Sequence, residues 1–266
     1  MNFLDVLNSI DSFVWGPPLL VLLVGTGILL TCRLRLLQLS KLARAFKLIF
    51  TARNDGEGDI DSFKALCTAL AATVGTGNIV GVATAIKAGG PGALFWMWVA
   101  AFFGMATKYA EGVLAVKYRE VDDQGNISGG PMYYIKNGLG EKWKPLGALF
   151  AIFGVLVAYF GIGTFAQVNS IIDIANITFG VSPYVVGGII TVLVAAITLG
   201  GLQSIAKTAE KIIPAMAVLY FLVTVSILVI FADQIPNAVY QIIHDAFTPT
   251  AATGGFLGAT VMLAMR

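Results

Sequence analysis

A cluster of polar and conformationally permissive residues interrupts an apolar stretch that is long enough to cross a membrane. Two alanines lead into the run Thr73-Val74-Gly75-Thr76-Gly77-Asn78. Glycine and threonine are poor helix formers, and hydroxyl and amide groups are costly to place in hydrocarbon. Irregular backbone at membrane depth is tolerated only where it is buried in protein or lines a watery cavity. The run therefore predicts a broken helix at a solute site, as in secondary transporters.

A broken helix offers an anion site and a cation site side by side. The N–H groups freed between Gly75 and Asn78 lie at the positive end of the second half-helix and suit a carboxylate. Carbonyls freed at the end of the first half-helix are hard oxygen ligands for an alkali cation. The candidate oxygen ligands are the carbonyls of Ala71, Ala72 and Val74, the hydroxyls of Thr73 and Thr76, and the amide of Asn78.

The same glycines permit other interpretations. Gly77 and Gly81 form a G-x-x-x-G pair, which can simply let two membrane helices approach closely. A dinucleotide-binding loop is excluded because its third glycine would fall at Val80 and no strand precedes it. The only histidine, His244, falls in a predicted outer loop, away from any intramembrane nucleophile. We expect no enzyme, no catalytic residue and no nucleic-acid partner.

Composition predicts an all-α polytopic membrane protein. The 266 residues are 57% hydrophobic and only 12% charged, against roughly 25% charged in soluble domains. Nearly uncharged runs of membrane length predict spans at about 14–32, 65–86, 91–116, 146–171, 183–202 and 210–232. A seventh span begins near Ala251.

Basic residues fall on alternate connections between these spans. Of the 17 Lys and Arg residues, 15 follow the first, third or fifth span, and Lys87 alone lies on the opposite side. The positive-inside rule then predicts an N-terminus outside the cell. Residues 33–53 interleave basic and apolar side chains, which predicts an amphipathic helix in the inner interface, attracted to anionic lipid. This helix can be a plain linker or a lipid-sensing arm.

The fourth span carries a polar patch near its outer end. Gln167 and Ser170 are three residues apart and share a helix face, as do Gly163 and Gln167. An amide side chain in a membrane usually faces protein and forms hydrogen bonds across helices. Gln167 is therefore either an interhelical contact or a substrate contact.

A tryptophan-rich stretch follows the broken span. It reads Gly-Gly-Pro-Gly-Ala-Leu-Phe-Trp-Met-Trp-Val over residues 89–99 and is continued by Phe-Phe-Gly at 102–104. This stretch resembles the signature of the sodium:alanine symporter family (alanine or glycine:cation symporters). Residues 68–78, 105–111 and 128–134 resemble the same family, and the resemblance covers essentially the whole chain from residue 12 onward.

The resemblance implies a leucine-transporter-like fold with two inverted five-helix repeats, each opening on a broken helix. In that fold 14–32 is a leading helix, 33–53 an interfacial helix, 65–232 the first repeat and 251–266 the start of the second. The implied activity is symport of small neutral amino acids, alanine or glycine, across the inner membrane. Sodium is the coupling ion, and no other cofactor is implied.

The resemblance also assigns roles to single residues. The N–H groups of Thr76 and Gly77 would hold the substrate carboxylate, and Gln167 would reach its amino group. The implied sodium ligands are the carbonyls of Ala71 and Val74 for one ion, and Thr73 with Asn78 for a second.

Family members are longer than this chain, and the partner broken helix is expected beyond Arg266. We therefore expect either a fragment of a longer protein or a natural truncation. Two alternatives to a transporter stay open: a non-transporting half-protein that acts as a membrane interaction partner, and a cation pore.

Overall fold

The computed structural model describes residues 3–14, 17–51, 61–75, 77–123, 125, 127–160 and 162–248. The described residues are mostly helical. The α-helices in chain order are α1 (Phe3–Val14), α2 (Pro17–Arg33), α3 (Leu37–Ser40), α4 (Leu42–Phe50), α5 (Ser62–Thr73), α6 (Val82–Gly89), α7 (Ala93–Lys117), α8 (Pro131–Leu139), α9 (Lys144–Phe160), α10 (Ile162–Phe179), α11 (Pro183–Thr198), α12 (Gly201–Ile230) and α13 (Ile235–Asp245). An antiparallel hairpin pairs β1 (Glu120–Val121) with β2 (Ile127–Ser128).

Three helical stretches of the described chain are long and apolar enough to cross a membrane. They are Ala93–Lys117 with 25 residues, Glu141–Phe179 with 39 and Gly201–Ile230 with 30. Few residues in these stretches are buried within the chain, which is typical of helices that face lipid or further helices. The predicted all-α membrane class is confirmed, and the two-repeat arrangement stays a prediction. The start of the second repeat, 251–266, lies outside the described residues.

Three helices have limits that differ from those of the predicted spans. The predicted 146–171 span falls in α9 and α10, which end at Phe160 and Phe179. The helix α11 in the predicted 183–202 span ends at Thr198. The last helix, α12, begins at Gly201 rather than at 210, because its first turns bury Ala206 and Ala209. Lys207 and Lys211 lie in the first turns of that helix, and because of their charges the sequence predicts a connection there.

The predicted interfacial helix over 33–53 is also interrupted. Arg35 and Leu36 both adopt left-handed backbone angles, with φ of 54°. The Leu36 N–H donates to the Thr31 carbonyl at 2.9 Å and the Arg35 N–H to the Cys32 carbonyl at 3.1 Å. This pair of bonds is the Schellman motif, which ends α2 and turns the chain into α3 and α4.

One compact unit comprises Met1–Phe46, Gly77–Val113 and Ala232–Arg266. Within it, α2 lies against α7 at Gly27, where an added Cβ would lie 2.8 Å from the Phe103 Cβ. Gln38 is buried and ties α3 to both helices. Its Nε2 donates to Thr31 Oγ1 at 2.7 Å and to the Phe102 carbonyl at 3.2 Å. The close approach at Gly27 and the two hydrogen bonds of Gln38, which we call the amide clamp, thus hold α2, α3 and α7 together.

The tryptophan-rich stretch of residues 89–99 makes close contacts within the same unit. An added Cβ on Gly92 would overlap the Asp245 carbonyl, so the chain after α13 passes directly over the start of α7. The Trp96 indole N–H donates to the Ala246 carbonyl at 2.5 Å. The Phe247 ring packs on Trp96, with centroids 6.4 Å apart. Trp96 therefore joins distant parts of the chain, whereas Trp98 is exposed as expected of an interfacial anchor.

The second compact unit comprises Lys47–Thr76 and Leu114–Phe231. Its helices α5 and α12 pack together through a buried cluster of Cys67, Ala209 and Ile213. Phe63, Leu70 and Met216 surround this cluster. The spacing of Ala209, Ile213 and Met216 places all three on one helix face.

The hairpin and α8, in the connection between α7 and α9, form a cap in this second unit. Glu120 Oε1 accepts hydrogen bonds from Lys136 Nζ at 2.8 Å and from Asn137 Nδ2 at 2.9 Å. Gly138 lies against the Tyr118 ring, where an added Cβ would be 3.2 Å from the ring. The hairpin and α8 are therefore tied together by side-chain hydrogen bonds.

Candidate functional site

The helix break that the sequence predicts is present. The helix α5 ends at Thr73, and the Val74 N–H still donates to the Leu70 carbonyl at 2.7 Å while Val74 itself is extended. The chain becomes helical again as a π-helical turn over Gly77–Gly81, which leads into α6. Such π segments are frequent at functional sites because they redirect backbone groups. Thr76 lies outside the described residues.

Gly75 and Gln167 are brought together within the second unit. An added Cβ on Gly75 would lie 3.6 Å from Gln167 Nε2 and 4.0 Å from its Cδ. The carboxamide of Gln167 therefore lies against the backbone of the break, although these residues are far apart in the sequence. Gln167 remains exposed, so its polar atoms are accessible to a solute. Two of the residues predicted as substrate contacts thus share one location.

The candidate cation ligands cluster at the C-terminal end of α5. Ala71, Thr73 and Val74 are consecutive or nearly so, and the first two are exposed. The Thr73 hydroxyl donates to the Ala69 carbonyl at 2.8 Å, and a hydroxyl oxygen that donates its proton can still coordinate a cation. The negative end of the helix dipole lies at this terminus and favours positive charge. Gly77 and the exposed Asn78 open the π-helical turn.

Charged groups hold the other end of α5, and sequence reasoning missed them. The Asp61 carboxylate caps the helix by accepting the Lys64 N–H at 2.8 Å. Lys64 Nζ lies 2.6 Å from Asp61 Oδ2 and 3.8 Å from Glu210 Oε2 on α12. The hydrogen bond with Lys64 lowers the pKa of Asp61, and the same bond raises the pKa of Lys64. An Asp three residues before a Lys at a helix start was the available signal.

Comparison with known proteins shows which family the chain resembles. The chain matches the family described as the sodium:alanine symporter family over residues 1–266. It is 54% identical to an uncharacterized transporter of Haemophilus influenzae, covering all of this chain and 58% of that protein. It is 50% identical to the sodium/alanine symporter AgcS of Methanococcus maripaludis, covering all of this chain and 59% of AgcS. A probable sodium/glutamine symporter, GlnT of Bacillus subtilis, is 37% identical over 98% of this chain and 54% of GlnT.

The chain thus spans less than three fifths of the length of these relatives. The match to the family nevertheless runs from its first residue to its last, through the helix break and the tryptophan-rich stretch. The chain belongs to the sodium:alanine symporter family.

Proposed function

We propose that this chain supplies the broken helix and the first substrate contacts of a sodium-coupled symporter for small neutral amino acids. Alanine or glycine is the preferred substrate, and the protein lies in the inner membrane as a multi-pass chain with its N-terminus outside. The observation that supports this proposal is the proximity of the Gln167 carboxamide to Gly75 at the helix break, where an added Cβ on Gly75 would lie 3.6 Å from Gln167 Nε2.

The proposed roles follow from the chemistry of each group. Backbone N–H groups from Gly75 to Asn78 bind the substrate carboxylate, since they begin a helical element whose positive end faces the break. The Gln167 carboxamide oxygen accepts a hydrogen bond from the substrate ammonium group.

Sodium binds on the other side of the break in this proposal. The carbonyls of Ala71 and Val74 provide neutral hard oxygens, and Thr73 with Asn78 provides a second set. Bound sodium orders the ends of both half-helices and so prepares the N–H groups for the carboxylate. Ion and substrate binding are therefore linked through one short segment, and each raises the affinity for the other.

The energetics of this coupling are sufficient for accumulation. A neutral amino acid is a zwitterion, so each sodium ion carries one net charge across the membrane. Moving one charge through 100 mV is worth about 2.3 kcal/mol, which corresponds to roughly 50-fold accumulation. A chemical gradient of sodium would add to this figure.

The test is uptake of labelled alanine, glycine and glutamine into proteoliposomes with and without an inward sodium gradient. The 266-residue chain is compared with a version that is extended by the portion of AgcS that it does not match. We expect sodium-driven uptake of alanine or glycine by the extended protein. Absence of sodium-dependent uptake of every small amino acid would contradict the proposal, and conductance without amino acid would indicate a cation pore.

A matched pair of glutamine variants tests the site itself. Gln167→Ala removes the hydrogen bond to a charged group, so apparent affinity falls about 10- to 150-fold, the equivalent of roughly 1.5–3 kcal/mol. Gln203→Ala makes the same change on an exposed part of α12 and should leave uptake unchanged. If both variants had the same apparent affinity for the substrate, Gln167 would not be a substrate contact, while the proposal of symport would stand.

A further inference from the structure

We propose that residues 33–46, which we call the basic arm, bind the headgroups of anionic phospholipids in the bilayer. This interaction is separate from substrate transport and depends only on insertion of the chain in a membrane. The arm runs from the end of α2 through the Schellman turn and α3 into the first turn of α4.

An apolar stripe covers the outward side of the arm. Leu36, Leu39, Leu42 and Phe46 follow each other at spacings of three, three and four residues. Their side chains are 48%, 61%, 46% and 57% exposed. A stripe of this kind is typical of a segment that lies in the membrane interface with its apolar face toward the acyl chains.

Gln38 shows which side of the arm faces the protein. Its side chain is only 6% exposed, and its Nε2 donates to Thr31 on α2 and to Phe102 on α7. Gln38 therefore fixes α3 against α2 and α7, while Leu36 and Leu39 on either side of it remain exposed. The amide clamp leaves these apolar side chains of the arm available to lipid.

The charge on the arm selects the headgroup. Arg33, Arg35, Lys41 and Arg44 are all exposed, and none forms a salt bridge with a carboxylate in the described part of the chain. Four cations without acidic partners beside an apolar stripe match a surface that presents phosphates and hydrocarbon together. The complementary partner is an anionic phospholipid rather than a zwitterionic one.

The first test measures which lipids the protein retains. The chain is placed in nanodiscs of equal phosphatidylglycerol and phosphatidylcholine, and the lipids that remain bound are counted by native mass spectrometry. We expect phosphatidylglycerol to be enriched. The triple variant Arg35→Gln, Lys41→Gln, Arg44→Gln should lose this enrichment, by about fivefold for each charge removed.

A charge-matched control separates the arm from net charge. The triple variant Lys142→Gln, Lys207→Gln, Lys211→Gln removes three exposed lysines elsewhere and should retain the enrichment. An equal loss in both triple variants, or no enrichment in the unmodified chain, would overturn the proposal.

A second measurement locates the apolar stripe. The indole introduced by Phe46→Trp should be quenched by brominated phospholipid, and brominated phosphatidylglycerol should quench it more than the same fraction of brominated phosphatidylcholine. The four native tryptophans are subtracted by measuring the unmodified chain. No added quenching would mean that protein, not lipid, covers the stripe, and would also overturn the proposal.

Discussion

Two glycines, one before α7 and one in its middle, differ in what surrounds them, although both stand in the same apolar stretch. Gly92 directly precedes the helix and faces backbone atoms of Asp245 and Ala246, while Gly104 inside the helix has nothing within 4 Å of an added Cβ. The first glycine is required by a close backbone approach. The second is not required by any contact in the described chain.

Alanine at these two positions should therefore have opposite effects. Gly92→Ala forces the backbone after α13 away from α7, and we expect a clear loss of thermal stability, of about 1–3 kcal/mol. Gly104→Ala should be neutral or stabilise by about 0.4–1 kcal/mol, because it reduces backbone entropy in the unfolded chain. Thermal unfolding in detergent measures both, and a destabilised Gly104→Ala with a stable Gly92→Ala would contradict the packing.

At the residue scale, the sequence predicted local chemistry better than long-range partners. Gly75 and Gln167 were chosen by residue type and membrane position, and the structure brings them together. The partner of Trp96 is a backbone carbonyl 150 residues away. A carbonyl belongs to every residue, so no side-chain pattern could identify that partner.

The contact between α5 and α12 is the clearest example of packing between two helices. Ile213 is 7% exposed in the buried cluster, whereas the adjacent Ile212 is 54% exposed. Ile213→Ala should reduce the free energy of unfolding by about 2–5 kcal/mol, through lost burial and a cavity. Ile212→Ala makes the same chemical change at the surface and should stay within about 0.5 kcal/mol. Similar unfolding temperatures for both variants would contradict the α5–α12 interface.

The cap formed by the hairpin and α8 should respond to acid. Hydrogen bonds from Lys136 and Asn137 lower the pKa of Glu120 below its usual value of 4.5. The stabilisation is therefore complete above pH 4.5 and is lost as the pH falls through the lowered pKa of the folded state. The bond to Glu120 raises the pKa of Lys136 above 10.5, so the alkaline loss begins only above that value.

Glu120→Gln should remove part of this acid dependence. Its unfolding temperature should fall less between pH 6 and about pH 3 than that of the unmodified chain. Asp123→Asn, an exposed carboxylate of the same connection, should keep the full dependence. A Glu120→Gln variant with unchanged acid sensitivity would show that the ion pair with Lys136 does not stabilise the cap.

Helix existence was predictable here and helix limits were not. Long uncharged runs predicted the apolar helices, and the glycine-threonine run predicted the break after Thr73. The early start of α12 was missed because Lys207, Glu210 and Lys211 resemble a polar loop. The helix forms because Ala206 and Ala209 are buried, and this packing depends on a partner helix.

At the scale of the whole molecule, the distribution of Lys and Arg predicts a specific orientation in the membrane. Ser182 follows α10 in a connection without basic residues, and Ser128 lies in the hairpin on the connection rich in them. In a chain whose two native cysteines are replaced by serine, Ser182→Cys should react with an impermeant maleimide in intact cells. Ser128→Cys should react only after the membrane is opened. The reverse result would invert the proposed topology.

The hydrogen bond from Trp96 to Ala246 has a consequence for the order of events during synthesis. Its two ends are 150 residues apart, and ribosomes add about 5–20 residues per second. Trp96 therefore exists for about 8–30 s before its acceptor has been made. During this interval α7 can already be inserted in the membrane, but the contact between its start and the chain after α13 has not yet formed. Closure of this unit is a late step, and a ribosome that stalls before residue 246 leaves the helix in place without the contact that secures its start.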